Sequence, residues 1–161
     1  MSKPAKNTAE ARVPAGRVPR PNPWPVLAVI AVGGVAGALA RYGVQQAFPH
    51  RAGEFAWATF AINASGCLLI GVLMVLIAEV WPGRRLVRPF LGVGVLGGFT
   101  TFSTYVVDIQ QAVAADAART ALLYLAATVL AALVAVWTGA TLATQVLRWR
   151  RVSIREAGAE S

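Results

Sequence analysis

The chain is poor in the residues that disulfides, metal sites and soluble surfaces require. Its 161 residues include one cysteine and one histidine, and only 14% of them are charged. The single cysteine, Cys67, excludes an intrachain disulfide, and we interpret it as a small apolar side chain inside a helix. The single histidine, His50, falls in a predicted loop, so a transition-metal site is not indicated. We also find no nucleophile–base pair, and an enzyme is therefore the least favoured class.

Apolar residues are abundant instead. Hydrophobic residues make up 57% of the chain, and the mean hydropathy is +0.58. Each of four apolar stretches reaches the roughly 20 residues that a membrane-spanning helix needs. We therefore predict an all-α membrane protein with four transmembrane helices, at about residues 25–45, 57–80, 86–109 and 120–147.

The polar remainder of the chain lies mainly at its ends. Residues 1–23 are basic and proline-rich, which predicts a disordered tail. Residues 24–147 form the four-span domain, and residues 148–161 form a second basic tail. The net charge of +8 does not indicate nucleic-acid binding, because the basic residues flank the apolar spans, as they do where charge encodes membrane topology.

The basic residues are unevenly divided between the two sides of the membrane. Four spans return the chain to its starting side, so both tails and the loop after the second span share that side. Two basic residues, Arg51 and Arg119, fall on the other side. The positive-inside rule then predicts a multi-pass plasma-membrane protein with cytoplasmic termini. The twelve basic residues on the side of the termini are Lys3, Lys6, Arg12, Arg17, Arg20, Arg84, Arg85, Arg88, Arg148, Arg150, Arg151 and Arg155.

The most unusual stretch is Gly97-Gly98-Phe99-Thr100-Thr101-Phe102-Ser103-Thr104, in the middle of the third span. Glycine loosens the backbone, and Ser and Thr hydroxyls compete for backbone carbonyls. Irregular backbone at membrane depth is tolerated only in buried places or beside a cavity. We therefore predict a third helix broken at its centre, and an ion site there.

Three other polar residues within or near the spans are informative. Arg41, late in the first span, is either a snorkelling anchor or a charge at a pore mouth. Asn63, in the second span, either forms an interhelical hydrogen bond or donates to a permeating anion. Asp108, near the end of the third span, is interpreted as a solvated interfacial acid.

Three motifs together resemble the CrcB/Fluc fluoride channels. The first is Gly33-Gly34-x-x-Gly37-Ala38-x-x-Arg41-Tyr42, whose G-x-x-x-G spacing also favours close helix packing. The second is Thr59-Phe60-x-x-Asn63-x-x-Gly66, and the third is the central octet. They occur in this order on the expected spans of a four-span chain. The resemblance covers about residues 25–147.

The resemblance implies a fluoride-selective channel that exports fluoride passively and lowers its cytoplasmic concentration. It implies an antiparallel dimer of four-helix subunits with two pores. Arg41 matches the family's arginine near the pore entrance. The backbone carbonyls of Gly97 and Thr100 match positions that bind a structural sodium ion at the dimer centre. Along the fluoride pathway we place Asn63, Phe102, Ser103, Thr104, Tyr105, Tyr124 and Thr128.

Two residues depart from the family pattern. Phe102 and Tyr105 match two aromatic positions that contact fluoride with ring edges, and the family usually has phenylalanine at the second. Ala132 falls where many members have serine, so the polar track of the fourth span is expected to be shorter here.

The chemistry of the residues agrees with an anion path. Fluoride is small and strongly hydrated, so a selective path replaces its water with hydrogen-bond donors, which Asn63, Ser103, Thr104 and Thr128 can supply. Aromatic ring edges carry partial positive charge and can face an anion without binding it too tightly.

Two other classes compete with a fluoride channel. A proton-coupled multidrug exporter of four helices needs a buried carboxylate, and the acids near the spans, Glu54, Glu79 and Asp108, all lie toward the span ends. A membrane scaffold gives no reason for the polar octet. For the dimer, the charge bias favours one-way insertion, so we hypothesise pairing with an oppositely biased homologue, the alternative being a homodimer.

Overall fold

Four long apolar helices make up the part of the chain that the computed structural model describes, residues 22–159. Helix α1 spans Trp24–Ala47 and α2 spans Trp57–Glu79. The third span, from Arg88 to Ala114, consists of α3 and α4, and the last helix, α5, spans Ala118–Ala159. Residues 22–159 contain no β-strand. All four spans are long and apolar enough to cross a bilayer, which confirms the predicted all-helical class with four spanning helices.

The structure describes little of the N-terminal tail but follows the C-terminal helix almost to the end of the sequence. The predicted disordered tail, residues 1–23, lies almost wholly outside the described residues. Helix α5, which forms the fourth span, continues to Ala159, twelve residues past the predicted end of that span at residue 147. Near this end, Arg151 of α5 forms an ion pair with Glu79 at the end of α2, with 2.5 Å between Nη2 and Oε2.

The third span changes helical form along its length. α3 begins as a π-helix over Arg88–Leu96 and continues as α-helix over Gly97–Phe99. Thr100 then has an extended backbone, with φ −75° and ψ 158°, and α4 resumes over Ser103–Ala114. The axis of the span is bent by only 13°. The loss of helical geometry is thus confined to residues 100–102, without a marked change in the direction of the helix.

Glycines of α1 bring it against the backbone of α3. A Cβ atom on Gly37 would overlap the carbonyl oxygen of Val95, and one on Gly33 would lie 2.6 Å from the carbonyl oxygen of Phe90. The G-x-x-x-G face of α1 is therefore a packing surface on which the two backbones touch.

Helices α2 and α5 also pack through glycines, and each helix contributes one glycine that contacts the backbone of the other. A Cβ atom on Gly71 of α2 would overlap the carbonyl oxygen of Val136, and one on Gly139 of α5 would overlap that of Leu68. Gly66, nearer the start of α2, lies against the Thr100 side chain. These approaches hold the non-helical segment between α2 and the α1–α3 pair.

A cluster of aromatic side chains fills one end of the bundle. Tyr105 of α4 and Tyr124 of α5 are buried, and their ring centroids lie 5.3 Å apart. Phe55, in the α1–α2 loop, meets Tyr124 edge to face at 5.1 Å. This cluster fixes the start of α5 against α4 just beyond residues 100–102.

Candidate ion pathway

A cavity of about 350 Å³ lies beside residues 100–102, between α2, the third span and α5. Its wall includes six of the predicted pathway and sodium residues, namely Asn63, Gly97, Thr100, Phe102, Tyr105 and Thr128. Ser103, Thr104, Tyr124 and Arg41 are not on this wall. The rest of the wall consists largely of aliphatic side chains and glycine, so the few polar groups in it stand out.

Thr100 is the point at which the backbone leaves the helix. Its amide still donates to the Leu96 carbonyl at 2.9 Å, but its extended ψ turns its own carbonyl out of the helical pattern. The guanidinium of Arg41 donates to this carbonyl, with 3.3 Å between Nη1 and O. Arg41 is half-buried. The positively charged side chain of α1 is thus hydrogen-bonded to the non-helical segment of the third span.

Asn63 holds the next residue along the chain. Its Nδ2 donates to the Thr101 carbonyl, and its Oδ1 accepts from the Thr101 amide, both at 2.9 Å. One side-chain amide therefore replaces both helical hydrogen bonds of Thr101, across 38 residues of sequence. The second hydrogen of Nδ2 takes no part in this pair, and Asn63 lines the cavity.

Thr101 itself was not singled out from the sequence. It is buried, and its Oγ1 accepts from the Thr104 amide at 3.2 Å, which caps the start of α4. Oγ1 also donates to Thr104 Oγ1 at 3.1 Å and lies 3.3 Å from Ser103 Oγ. A hydroxyl residue preceding a helix start is the signal for such a cap. The octet contains four hydroxyl residues, two on each side of Phe102, so the sequence does not show which of them caps the helix.

The two aromatic residues of the predicted pathway differ in exposure. The Phe102 side chain is 78% exposed in the single chain, whereas Tyr105 is buried. Their ring centroids lie 5.8 Å apart. The Tyr105 hydroxyl donates to the Leu125 carbonyl at 2.9 Å, so its extra polar group, compared with phenylalanine, is bonded to α5.

Tyr124 belongs to a buried polar cluster beside the cavity. Its hydroxyl donates to Asp108 Oδ2 at 3.2 Å, and Asp108 Oδ1 lies 3.6 Å from His50 Nε2 of the α1–α2 loop. The interpretation of Asp108 as a solvated acid is wrong, because only 9% of the residue is exposed. It failed because α5 and the loop cover this end of the third span, which distance along the span does not reveal.

Thr128, on α5, carries a buried hydroxyl without a partner. The residue lines the cavity, while its Oγ1 is shielded from solvent and has no hydrogen bond to any described residue. Ala132, one turn further along, also lines the cavity and has no hydroxyl. A buried hydroxyl left unpaired costs about 1–3 kcal/mol, so a hydrogen bond from Thr128 to a ligand would be favourable.

These features define a class of protein, a small multi-pass membrane protein with a polar, non-helical segment beside a cavity. Comparison with known proteins identifies the family. The family model described as CrcB-like protein, Camphor Resistance (CrcB), matches residues 28–140. This chain belongs to the CrcB family.

Individual relatives are close in sequence. A protein of Streptomyces coelicolor named fluoride-specific ion channel FluC 1 is 58% identical over 127 residues, which are 79% of this chain and 82% of the relative. One of Streptomyces avermitilis named fluoride-specific ion channel FluC 2 is 61% identical over 104 residues, 65% of this chain and 66% of the relative. A FluC 2 of Nocardia farcinica is 50% identical over 133 residues, 83% of this chain and 91% of the relative. A multidrug exporter finds no support among these relatives.

Proposed function

We propose that this chain is a fluoride-selective channel that lets fluoride leave the cytoplasm down its electrochemical gradient. The observation that carries the proposal is that Thr128, whose buried hydroxyl has no partner among the described residues, lines the same mostly apolar cavity as Asn63, Phe102 and Tyr105. The names of the relatives, fluoride-specific ion channels, support the choice of anion.

The chemistry of the cavity suits a small anion that must pass quickly. The Thr128 hydroxyl and the second hydrogen of Asn63 Nδ2 are donors that replace part of the hydration shell of fluoride. The ring edges of Phe102 and Tyr105 add weak positive potential without a full charge. No lysine or arginine of residues 22–151 lines the cavity. The sites are therefore weak, as conduction requires.

The remaining pathway residues act around this cavity. Ser103 and Thr104 carry hydroxyls at the start of α4, and Tyr124 lies on the same helix as Thr128, one turn before it. We assign them to the approach to the cavity. Arg41 supplies a positive charge near the Thr100 carbonyl, which raises the local concentration of anions. The non-helical residues 100–102 position these side chains. None of them has a catalytic role.

The carbonyl oxygens of Gly97 and Thr100 fit a structural sodium ion. Sodium prefers hard oxygen ligands, and the Gly97 carbonyl accepts no backbone hydrogen bond from the described residues, since the Thr101 amide donates to Asn63 instead. The Thr100 carbonyl accepts from Arg41 and keeps a second lone pair. These two oxygens would hold the ion together with ligands from a second subunit. A bound sodium ion would supply positive charge beside the anion path.

We further propose that two subunits pair in an antiparallel dimer in the plasma membrane, with the termini of this chain in the cytoplasm. The 78% exposure of Phe102 supports a partner, because an aromatic ring of the pathway otherwise lies on the outside of the protein. The division of basic residues, twelve against two, favours one-way insertion. The second subunit is therefore an oppositely biased homologue or, if insertion is mixed, a second copy.

Fluoride efflux from liposomes that contain this chain tests the proposal. We expect efflux, read with a fluoride electrode, to be fast with the wild type and lost with Phe102→Ile. Phe48→Ile is the matched control, because Phe48 is also exposed but lies outside the cavity. Efflux by the chain alone would mean that a homodimer suffices.

If the chain alone is silent, an oppositely biased homologue is added to the liposomes. Recovered efflux would establish a heterodimer. Continued silence with both proteins folded would overturn the channel assignment.

A further inference from the structure

A second groove, separate from the ion cavity, runs along α2 and α3. Its volume is about 260 Å³, and every residue that lines it is apolar. Leu73 and Leu96 are buried in its floor, Leu69 and Leu76 flank it on α2, and Leu91 flanks it on α3. We call it the α2–α3 groove.

The α2–α3 loop, which joins the two helices of the groove, carries an aromatic residue and a cluster of positive charge. Trp81, in the α2–α3 loop, lines the end of the groove, and tryptophan is typical of the membrane–water interface. Arg84, Arg85 and Arg88 follow within seven residues, and all three are exposed. None of them forms an ion pair with a described residue, while the nearby Glu79 is already paired with Arg151.

We propose that the α2–α3 groove binds one anionic phospholipid. Its acyl chain lies along the leucines, and its phosphate is held by the three arginines. Leu76 and Leu69 are seven residues apart, or about 10 Å along a helix. The groove therefore fits within one leaflet, whose hydrocarbon is about 15 Å thick. Its charged end is at the interface and its apolar end points to the midplane, which is the orientation of a lipid.

The charge of the site selects among membrane lipids. A zwitterionic headgroup carries no net charge, so three unpaired guanidinium groups favour an anionic headgroup. A second copy of this chain is a less suitable occupant. The described surface around the groove offers no unpaired acidic side chain that could neutralise the three arginines of the first copy. Leu96 lines both this groove and the ion cavity, so the acyl chain contacts a residue of the cavity wall from its other side.

Lipid retention by the full-length chain in non-ionic detergent tests this site. Phosphatidylglycerol and phosphatidylcholine with identical acyl chains are added separately, and bound lipid is counted by native mass spectrometry. We expect preferential retention of one phosphatidylglycerol, and a loss of at least about tenfold in the Arg84→Gln/Arg85→Gln/Arg88→Gln variant. Val72→Phe, which fills the groove without changing charge, is expected to release the same lipid.

The control variant removes three charges elsewhere, as Arg119→Gln/Arg148→Gln/Arg150→Gln, and is expected to retain the lipid. An equal loss in the control would reduce the effect to net charge and overturn the site. Retention by Val72→Phe would also overturn it. Light scattering of the same samples gives the oligomeric state and so tests whether a second copy of the chain occupies the groove. If Val72→Phe separates dimers and leaves lipid retention unchanged, the groove is an interface between copies. Both readouts are independent of fluoride conduction.

Discussion

At the scale of single residues, the molecule depends on how a few buried polar groups are paired. Thr101 has its amide, its carbonyl and its hydroxyl all bonded, whereas Thr128 has a hydroxyl with no partner. A bonded group stabilises the fold, and an unbonded buried group is destabilising until a ligand arrives. The two threonines therefore have opposite expected responses to mutation.

Thr128→Val is expected to slow fluoride efflux and to raise the melting temperature. The loss of one hydrogen bond to a charged ligand corresponds to a decrease of about tenfold to a hundredfold in transport. The fold gains stability because an unpaired buried hydroxyl is replaced by a methyl group of the same shape. Efflux from liposomes and thermal unfolding in detergent measure the two effects.

Thr128→Ser, which keeps the hydroxyl, serves as the control and is expected to retain most of the efflux. If Thr128→Val lost stability, the hydroxyl would have a partner within the protein, and its role as a ligand for fluoride would be wrong.

Asn63→Leu is expected to destabilise the protein by about 2–5 kcal/mol, because the Thr101 amide and carbonyl would both lose their partner. Thermal unfolding in detergent measures the loss. Ser65→Ala is the matched control on the same helix, since the Ser65 hydroxyl bonds only to carbonyls of its own helix. A stable Asn63→Leu protein that has lost efflux would instead assign the amide to the permeating ion alone.

At the scale of helices, backbone contact between glycine faces sets the geometry of the bundle. The α1–α3 and α2–α5 pairs each have a glycine whose added Cβ would overlap a carbonyl of the other helix. Such pairs have no room for a side chain, so their register is fixed. The α1–α3 register brings Arg41 to Thr100, and Gly66 of α2, which lies against the Thr100 side chain, brings Asn63 to Thr101.

Gly37→Ala is expected to cost about 1–3 kcal/mol of stability, because the new methyl group pushes α1 away from the Val95 carbonyl. Gly43→Ala, on the same helix, is the control, since a Cβ there meets nothing within 4 Å. The measurement is the melting temperature of both variants in one detergent. A neutral Gly37→Ala would show that α1 can shift without loss of packing.

The helices differ in how far the sequence could predict them. Hydropathy alone predicts the four spans, because their length and composition are fixed by the bilayer. The π-helical form of residues 88–96 has no such signal. Within it, Gly94 lies close to α1, where a Cβ would be 2.9 Å from the Ile30 carbonyl, and the sequence alone does not reveal this contact. The bonding of Asn63 to Thr101 was likewise one of two open alternatives, since spacing along a helix does not determine which neighbour faces it.

At the scale of the whole molecule, the shape of the single chain is compatible with the proposed second subunit. One face of the single chain leaves Phe102 exposed and the cavity open. Some of the residues predicted for the pathway, such as Asn63 and Phe102, line this cavity, whereas Ser103, Thr104 and Tyr124 do not. The motifs could not predict that Asp108 is buried, because its cover comes from His50 and Tyr124, which are distant in sequence.

The topology is expected to be one-sided. With Cys67→Ala as background, Ser2→Cys is expected to react with an impermeant thiol reagent only after the cytoplasmic side is opened. The reason is the excess of basic residues on the side of the termini. Replacing Arg84, Arg85 and Arg88 by glutamine serves as the comparison and is expected to increase labelling from outside. Equal labelling of the unaltered-charge protein from both sides would contradict one-way insertion and favour a homodimer.

The length of α5 has a practical consequence. Its 42 residues make a rod of about 63 Å, roughly twice the hydrocarbon thickness of a membrane. Arg151, eight residues before the end of α5, forms an ion pair with Glu79 of α2. A compact protein fused in helical register after Ala159 would therefore continue along the axis of α5. A chain of only 161 residues would then carry a rigid marker large enough to align single particles by electron microscopy, and the marker would report which way each subunit is inserted.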